Sequence, residues 1–422
     1  MKKQTPQDAA YLCPGETHPI SRAVHLGRLA AFYPGCRQCP HRYDTGTLSP
    51  TQVEQLAETS PRGEPRSLFH DEGAGGVYLN DLAPAAARDI AAAFGVAVRL
   101  PVGSQAPGPN PSVVLADDGR PLTVELVAAV GEGLRWSGCD VIDIGPATAA
   151  CLAFAVHHLQ TDGALLVGNP SNEPRIVGLQ FWAAGPRPLS TGGALEPIAE
   201  LYRAGVDRPV RVEGQLRRFQ ANVPYLAGFA EHYHALRPLR VVVESASKPL
   251  IDYLKKLATT VACQVIPSRV AQSDLAEQVR ADAAHFAVCV DGDGETCRVL
   301  DQTGRIVPPE RLLPALSLLQ PPMTGGSPQT VVLEEGTSPA VVRRLEQLGL
   351  GVVGGGVRRA DMAAAMQRVG AMLGGGVSGR FWHIESGVPL PDGLMTITQL
   401  LKLLSRTDEP LSTVLDREAV PE

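Results

Sequence analysis

Short runs of β-branched residues alternate along the chain with segments whose apolar positions recur every three or four residues, which predicts strands followed by covering helices. The first such unit reads VVLADDGR (113–120), then PLTVELVAAVGEGLRWSG as a helix, then CDVIDIG (139–145) as the next strand. The helix AFAVHHLQ and the strand GALLVG (163–168) continue it. A second unit starts at LRVVVESAS (239–247), passes through the helical PLIDYLKKLA and returns at FAVCVDGDG (286–294). A third runs from TVVLEEG at 330 through SPAVVRRLEQLG, GVVGGG and RRADMAAAMQRVG to AMLGGG. The repeated β-α-β order predicts an α/β protein whose sheets are mainly parallel.

The joining segments PVGSQAPGPNPS, AAGPRPLSTGG and LLQPPMTGGSPQ are rich in proline and glycine and suit loops between units. With 422 residues, 44% of them hydrophobic, the chain is too long for one core and divides into about three domains. The expected division is 1–66 as a Cys/His-rich module and linker, then α/β domains at 67–195, 196–300 and 301–422. A net charge of -6 and the lack of a lysine or arginine run argue against a nucleic-acid partner. No window approaches the roughly 20 apolar residues of a bilayer span, and MKKQTPQDAA has no apolar stretch behind its lysines. No membrane partner is expected, and the location expected is cytoplasmic.

Several segments carry more specific information. FHDEGAGGVYLNDLAPAAARDIAAAFG opens the series, and VVLADDGR and CDVIDIGPATAACLAFAVHH follow. Next come GALLVGNPSNEPRIVGLQF, then VDGDGETCRVLDQTGRIVPPERLL, then AMLGGGVSGRFWH and PDGLMTITQLLKLLS. In this order and at these separations they resemble the α-D-phosphohexomutase family, the phosphomannomutases and phosphoglucomutases, over roughly residues 67 to 416. GNPSNEP occupies the place of the phosphoserine loop TASHNP, DGDGET that of the metal loop DGDGDR, and GGGVSGR that of the sugar-binding loop GGExSGH. The implied fold is three consecutive α/β/α domains, and ahead of them the chain carries a small Cys/His-rich segment that reads as a zinc module.

The resemblance implies a phosphorylated serine, a Mg²⁺ ion held by three loop carboxylates, and basic groups that neutralise the transferring phosphoryl. Aligned on Gly178, Leu179 and Phe181, the serine position falls on Pro170, which leaves the neighbouring Ser171 as the alternative hydroxyl. Ser171 and Asn172 stand where the family has histidine and asparagine. Asp291, Asp293 and Glu295 alternate in an extended loop, so three carboxylates face one way and suit a hard cation such as Mg²⁺. The arginine ending that loop is Thr296, with Arg298 two residues later on the same face. In the sugar loop the glutamate is Gly376 and the histidine Arg380, while Ser378 and Gly379 remain. The implied substrate contacts are therefore Asn172, Ser378, Gly379 and Arg380, the last able to meet a phosphate or carboxylate. DEGAGG lacks the family arginine and Asp117 inverts another, whereas Arg120 survives as the implied catalytic cation. The chain ends at Glu422, soon after PLSTVL, so the family's fourth domain with its Arg-Ser-Gly-Thr loop is expected to be missing.

The expected function is a phosphohexomutase-like protein of carbohydrate metabolism, catalytically impaired, that keeps a cleft for a sugar phosphate or another anion. One alternative is an active Mg²⁺-dependent phosphomannomutase/phosphoglucomutase using Ser171. Another is an interaction protein that recruits a protein partner through its N-terminal module.

That module lies outside the resemblance. YLCPGETHPISRAVHLGRLAAFYPGCRQCPHR brings Cys13, Cys36 and Cys39 together with several histidines, and three thiolates plus one imidazole satisfy tetrahedral Zn²⁺. His25, in the helical run, is the preferred fourth ligand and His18 the alternative. A structural Zn²⁺ is expected because so small a module has little apolar content of its own. The remaining cysteines, Cys139, Cys151, Cys263, Cys289 and Cys297, read as reduced core thiols.

Overall fold

The strands assemble into four sheets in the computed structural model, which describes residues 10–13, 17–31, 33, 36, 39–50, 52–53, 56, 68–99, 110–169, 173–270, 272–320, 329–385 and 387–418. At the N-terminus β1 (Ala10–Tyr11) pairs antiparallel with β2 (Ile20–Ser21), and the helix Arg22–Ala30 follows, capped by the Ser21 hydroxyl. The second sheet contains β3 (Phe69–His70), β4 (Gly73–Val77), β5 (Ser112–Asp117), β6 (Asp140–Pro146), β7 (Gly163–Gly168), β8 (Ile176–Ala183), β9 (Arg187–Pro188) and β10 (Leu216–Arg218). Its spatial order is β10-β6-β5-β7-β8-β4-β3, with β9 beside β8. The third sheet contains β11 (Arg240–Ser245), β12 (Gln264–Pro267), β13 (Phe286–Val290), β14 (Cys297–Asp301) and β15 (Ile306–Val307), in the order β12-β11-β13-β14-β15. The fourth contains β16 (Thr330–Glu334), β17 (Gly351–Gly355), β18 (Leu373–Gly375), β19 (Trp382–Glu385) and β20 (Val388–Pro391), in the order β17-β16-β18-β19-β20.

One arrangement recurs in the three larger sheets. Three parallel strands (β6-β5-β7, β12-β11-β13, β17-β16-β18) are extended on one side by antiparallel strands (β8, β14, β19). The expectation of mainly parallel sheets therefore holds at each centre and fails at one edge. The reason is loop length, because a parallel crossover needs a dozen or more residues. The links β7–β8, β13–β14 and β18–β19 are too short for that and must reverse the chain. The first of these sheets also runs past residue 195, since β10 pairs with β6, and the next runs past 300 to β15.

The central strands are apolar on both faces, as helices on each side require; every residue of β7 and of β13 is buried. A single apolar cluster includes Val114 and Leu166 of the first α/β unit, Val241 and Leu254 of the second, and Leu333 and Leu400 of the third. Its largest helical contributor is Gly393–Ser405, buried at nearly every position and capped by Asp392, whose carboxylate accepts from Leu394 N and Met395 N. Among the described residues no helix is long and apolar enough to cross a membrane.

Candidate functional site

The three short reversals are the three segments that the sequence singles out. Loop A (169–175) joins β7 to β8, loop B (291–296) joins β13 to β14, and loop C (376–381) joins β18 to β19. All three leave the C-terminal ends of equivalent central strands, where ligands of open α/β sheets bind. Loop B is the hub. Its Asp293 carbonyl accepts from Ala149 N at 2.8 Å, its Gly294 carbonyl accepts from Gly393 N at 2.8 Å, and Cys297 N donates to Gly379 O of loop C at 2.8 Å. Gly379 has φ +82°, and a Cβ there would lie 2.6 Å from the Cys297 carbonyl, so this close backbone approach requires glycine.

In loop A, Pro170, Ser171 and Asn172 lie outside the described residues. The flanking residues are firmly held: Asn169 N donates to Asp118 Oδ2 at 3.0 Å and Asn169 Nδ2 to the Glu173 carbonyl at 2.5 Å. Arg120 braces the far side. Its Nε donates to Asp118 Oδ2 at 2.6 Å, Nη1 to the Pro174 carbonyl at 3.2 Å and Nη2 to the Ile176 carbonyl at 3.0 Å. Arg120, expected to be catalytic, therefore has all three side-chain nitrogens engaged by the loop and its anchor.

Loop B differs most from expectation. Asp293 is 2% exposed and Glu295 1%, and neither projects an open carboxylate. Asp293 Oδ2 accepts from Gln180 Nε2 at 3.0 Å and Oδ1 from Glu295 N at 3.1 Å. Glu295 Oε1 meets Arg359 Nη1 at 3.3 Å and Oε2 lies 3.6 Å from Arg380 Nε. The same two arginines hold Glu72, in the turn before β4. Arg380 Nη1 and Nη2 form a two-pronged bond to its carboxylate at 2.9 and 2.6 Å, and Arg359 donates from its backbone N to Oε1 at 2.7 Å. Arg359 is fully buried, with its guanidinium 5.1 Å from the centre of the Trp182 ring. Glu72, Glu295 and the two arginines thereby join all three α/β units.

The protonation behaviour follows these contacts. Burial raises Glu72, but Arg359 and Arg380 outweigh it and hold this carboxyl below its ordinary value. For Glu295 burial wins and pushes the carboxyl up to about 7 despite Arg359, because its arginine contacts are looser. Burial, then Asp293, pushes Asp291 up to about 6, and burial raises Asp293 too. Among the described residues no group of three or more His, Cys, Asp or Glu side chains is placed to hold a metal ion. Asp291, Asp293 and Glu295, expected to hold Mg²⁺, are thus not gathered around one point among the described residues. Mg²⁺ demands near-octahedral oxygens at about 2.1 Å, whereas here Gln180 and a backbone N–H engage Asp293 and two guanidinium groups engage Glu295.

In loop C, Ser378 turns inward. Its Oγ donates to Glu334 Oε1 at 2.5 Å and its N to Oε2 at 2.8 Å. A side chain at 376 would meet the Glu334 side chain at 2.5 Å, so Glu334 fills the space beside Gly376. Ser378 and Arg380, expected to contact substrate, both direct donors to carboxylates of neighbouring elements. Gly379 shapes the loop and docks it on loop B. Arg298 lies exposed on β14.

Glu72, Gln180, Glu334 and Arg359 are absent from the sequence-derived set. Arg359 did leave a signal, since it shares the buried face of its helix with Met362, Ala363 and Met366, at helical spacing where an apolar residue is expected. Nothing local distinguishes Glu72, which lies in a polar turn.

The described residues do not show the expected zinc site. Cys13 and Cys39 meet with their sulfurs 3.6 Å apart in an apolar cluster with Tyr11, while Cys36 packs in another with Leu29 and Leu56. Burial, then Cys39, pushes the Cys13 thiol up to about 11, and burial raises Cys36. His25 stacks on Tyr11 at 4.1 Å and turns Nε2 to the Asp44 carbonyl at 3.0 Å. His18 is exposed and meets the Thr17 hydroxyl at 2.9 Å. The other five cysteines are buried and unbridged.

With this geometry in place, the chain can be set beside known proteins. Residues 66–202 match the family described as phosphoglucomutase/phosphomannomutase, alpha/beta/alpha domain I. The phosphoglucosamine mutase of Frankia alni is 28% identical over 365 residues, which span 82% of this chain and 80% of the relative. The phosphomannomutase/phosphoglucomutase of Pseudomonas putida is 23% identical over 371 residues, 84% of this chain and 77% of the relative. In fold, the chain is similar to a crystal structure of a phosphoglucomutase/phosphomannomutase family protein from Burkholderia thailandensis, with a TM-score of 0.72 at 21% identity, covering 84% of this chain and 80% of that one.

Proposed function

We propose that this chain, which resembles the α-D-phosphohexomutase family along its three α/β units, is a sugar-phosphate-binding protein of carbohydrate metabolism in which phosphoryl transfer is impaired. Phosphoryl transfer depends on cationic groups that are free to meet the charge developing on the transferring group. The observation that carries the reading is the two-pronged bond from Arg380 to Glu72, at 2.9 and 2.6 Å. It engages the one basic residue of loop C, and Arg120 is engaged in the same way at loop A. At sequence level Pro170 adds to this, because proline offers no hydroxyl at the aligned position. Binding rests on the family resemblance and on the three loops that converge at equivalent strand ends.

The test pairs a thermal-shift panel with a turnover assay, using glucosamine, mannose and glucose phosphates with their bisphosphate activators. A ligand that prefers the folded chain must raise its melting temperature. A rise with at least one hexose phosphate, without interconversion of the 1- and 6-phosphates, is expected. Turnover that disappears in Ser171→Ala overturns the impaired reading in favour of an active mutase. An unresponsive panel with no turnover overturns the binding reading and leaves recruitment of a partner through the N-terminal segment.

A further inference from the structure

Loop B resembles a metal loop, yet two of its three carboxylates, Asp293 and Glu295, find their partners within the chain. We propose that the guanidinium groups of Arg359 and Arg380 take the place of a divalent cation at loop B, so that the loop keeps its shape and its neighbours without metal. The inference stands whether or not a sugar phosphate binds.

The argument starts from the donor set. Asp293 and Glu295 are nearly sealed from solvent, and buried carboxylates need a counter-charge or a proton. A hard cation would supply that charge by gathering oxygens around one point. Instead, both Asp293 oxygens accept from nitrogen donors, and Glu295 lies between Arg359 Nη1 at 3.3 Å and Arg380 Nε at 3.6 Å. Arg359 Nε and Arg380 Nε are buried with no hydrogen-bond acceptor, each facing a carboxylate at ion-pair distance only, 3.5 Å to Glu72 and 3.6 Å to Glu295. Any cation drawn to Glu295 would meet these N–H groups, and like charges a few ångströms apart in a low-dielectric site repel strongly.

The surroundings are built for guanidinium. A planar fork matches a carboxylate edge with two parallel bonds, as Arg380 does on Glu72, and a flat cation lies against an aromatic ring, as Arg359 does on Trp182. Neither contact suits a spherical hydrated ion. The two arginines also reach beyond loop B, since both meet Glu72 in the first α/β unit.

The test uses Mn²⁺ as a paramagnetic probe of the full-length chain. Titration followed by electron paramagnetic resonance is expected to show no bound Mn²⁺ at millimolar concentrations, and neither EDTA nor MgCl₂ should move the melting temperature. The double variant Arg359→Met/Arg380→His, which removes both guanidinium groups, is expected to gain one Mn²⁺ per chain and to lose it when Asp293→Asn is added. If that variant folds only with Mn²⁺ present, the gain of a cation requirement supports the inference equally. One Mn²⁺ bound to the unaltered chain and abolished by Asp293→Asn overturns it, as does a folded double variant that gains no site.

Discussion

At the scale of single residues, burial decides which charges matter. Glu72 and Glu295 share two arginines, and only Glu72, with the closer bonds, is held below its ordinary pKa. Buried ion groups of this kind contribute little net stability when intact, although breaking one costs about 3–5 kcal/mol. His383 on β19 is a second case. It is buried, its ring Nε2 lies 3.0 Å from the Thr396 hydroxyl, and desolvation pushes its pKa down to about 3. In the unfolded chain the same imidazole takes a proton near pH ~6.5. The unfolded state therefore binds more protons between these values, and stability is lost as pH falls through that window. Replacing His383 with glutamine, which can still reach Thr396, removes this contribution. Urea unfolding at pH 7.5 and pH 5 is expected to show a pH-dependent loss in the parent chain that exceeds the variant's by about 2 kcal/mol. Equal losses in the two proteins would contradict the assignment.

At the scale of elements, the site is a consequence of connection length. Each α/β unit makes its parallel strands through helices, then reverses in a short loop, and the three reversals are the three candidate loops. Their placement depends on helix packing that admits little change. Gly133, in the helix Val124–Trp136, faces the helix Pro84–Arg99, and a Cβ there would lie 2.2 Å from the Arg88 carbonyl and 3.2 Å from Ala91 Cβ. In an open helix glycine to alanine stabilises by about 1 kcal/mol. Here the overlap is with backbone, so Gly133→Ala is expected to destabilise by about 1–3 kcal/mol, measured by chemical denaturation. An increase in stability would mean that the two helices separate at little cost.

At the scale of the whole molecule, the three α/β units share one apolar cluster and one buried ionic network. Leu166, Val241 and Leu400 belong to the same cluster, and loop B hydrogen-bonds to the units on either side of it. Multidomain chains commonly unfold in separate steps. The shared core predicts otherwise for residues 68–418: calorimetry should give a single main transition with calorimetric and van't Hoff enthalpies in close agreement. Two well-separated transitions would show that the units are stable alone and that the network holds them only loosely.

Sequence determined a great deal here, because strand and helix periodicity is local. The β-α-β rhythm and the positions of β5, β7, β11, β13 and β16 could be read from spacing, and the three loops from the motifs that carry the family resemblance, whereas of these five strands only β7 had both ends legible. The antiparallel edge strands were less legible, since their direction depends on how few residues link them to the strand before. What the sequence could not fix was the partner of each charged group. Arg380 lies 308 residues from Glu72, and Arg359 lies 64 from Glu295. An Asp-Gly loop reads the same whether a metal ion or an arginine neutralises it. Only the packing of three sheets around loop B, which buries these groups and forces each charge to find its counter-charge nearby, decides between them.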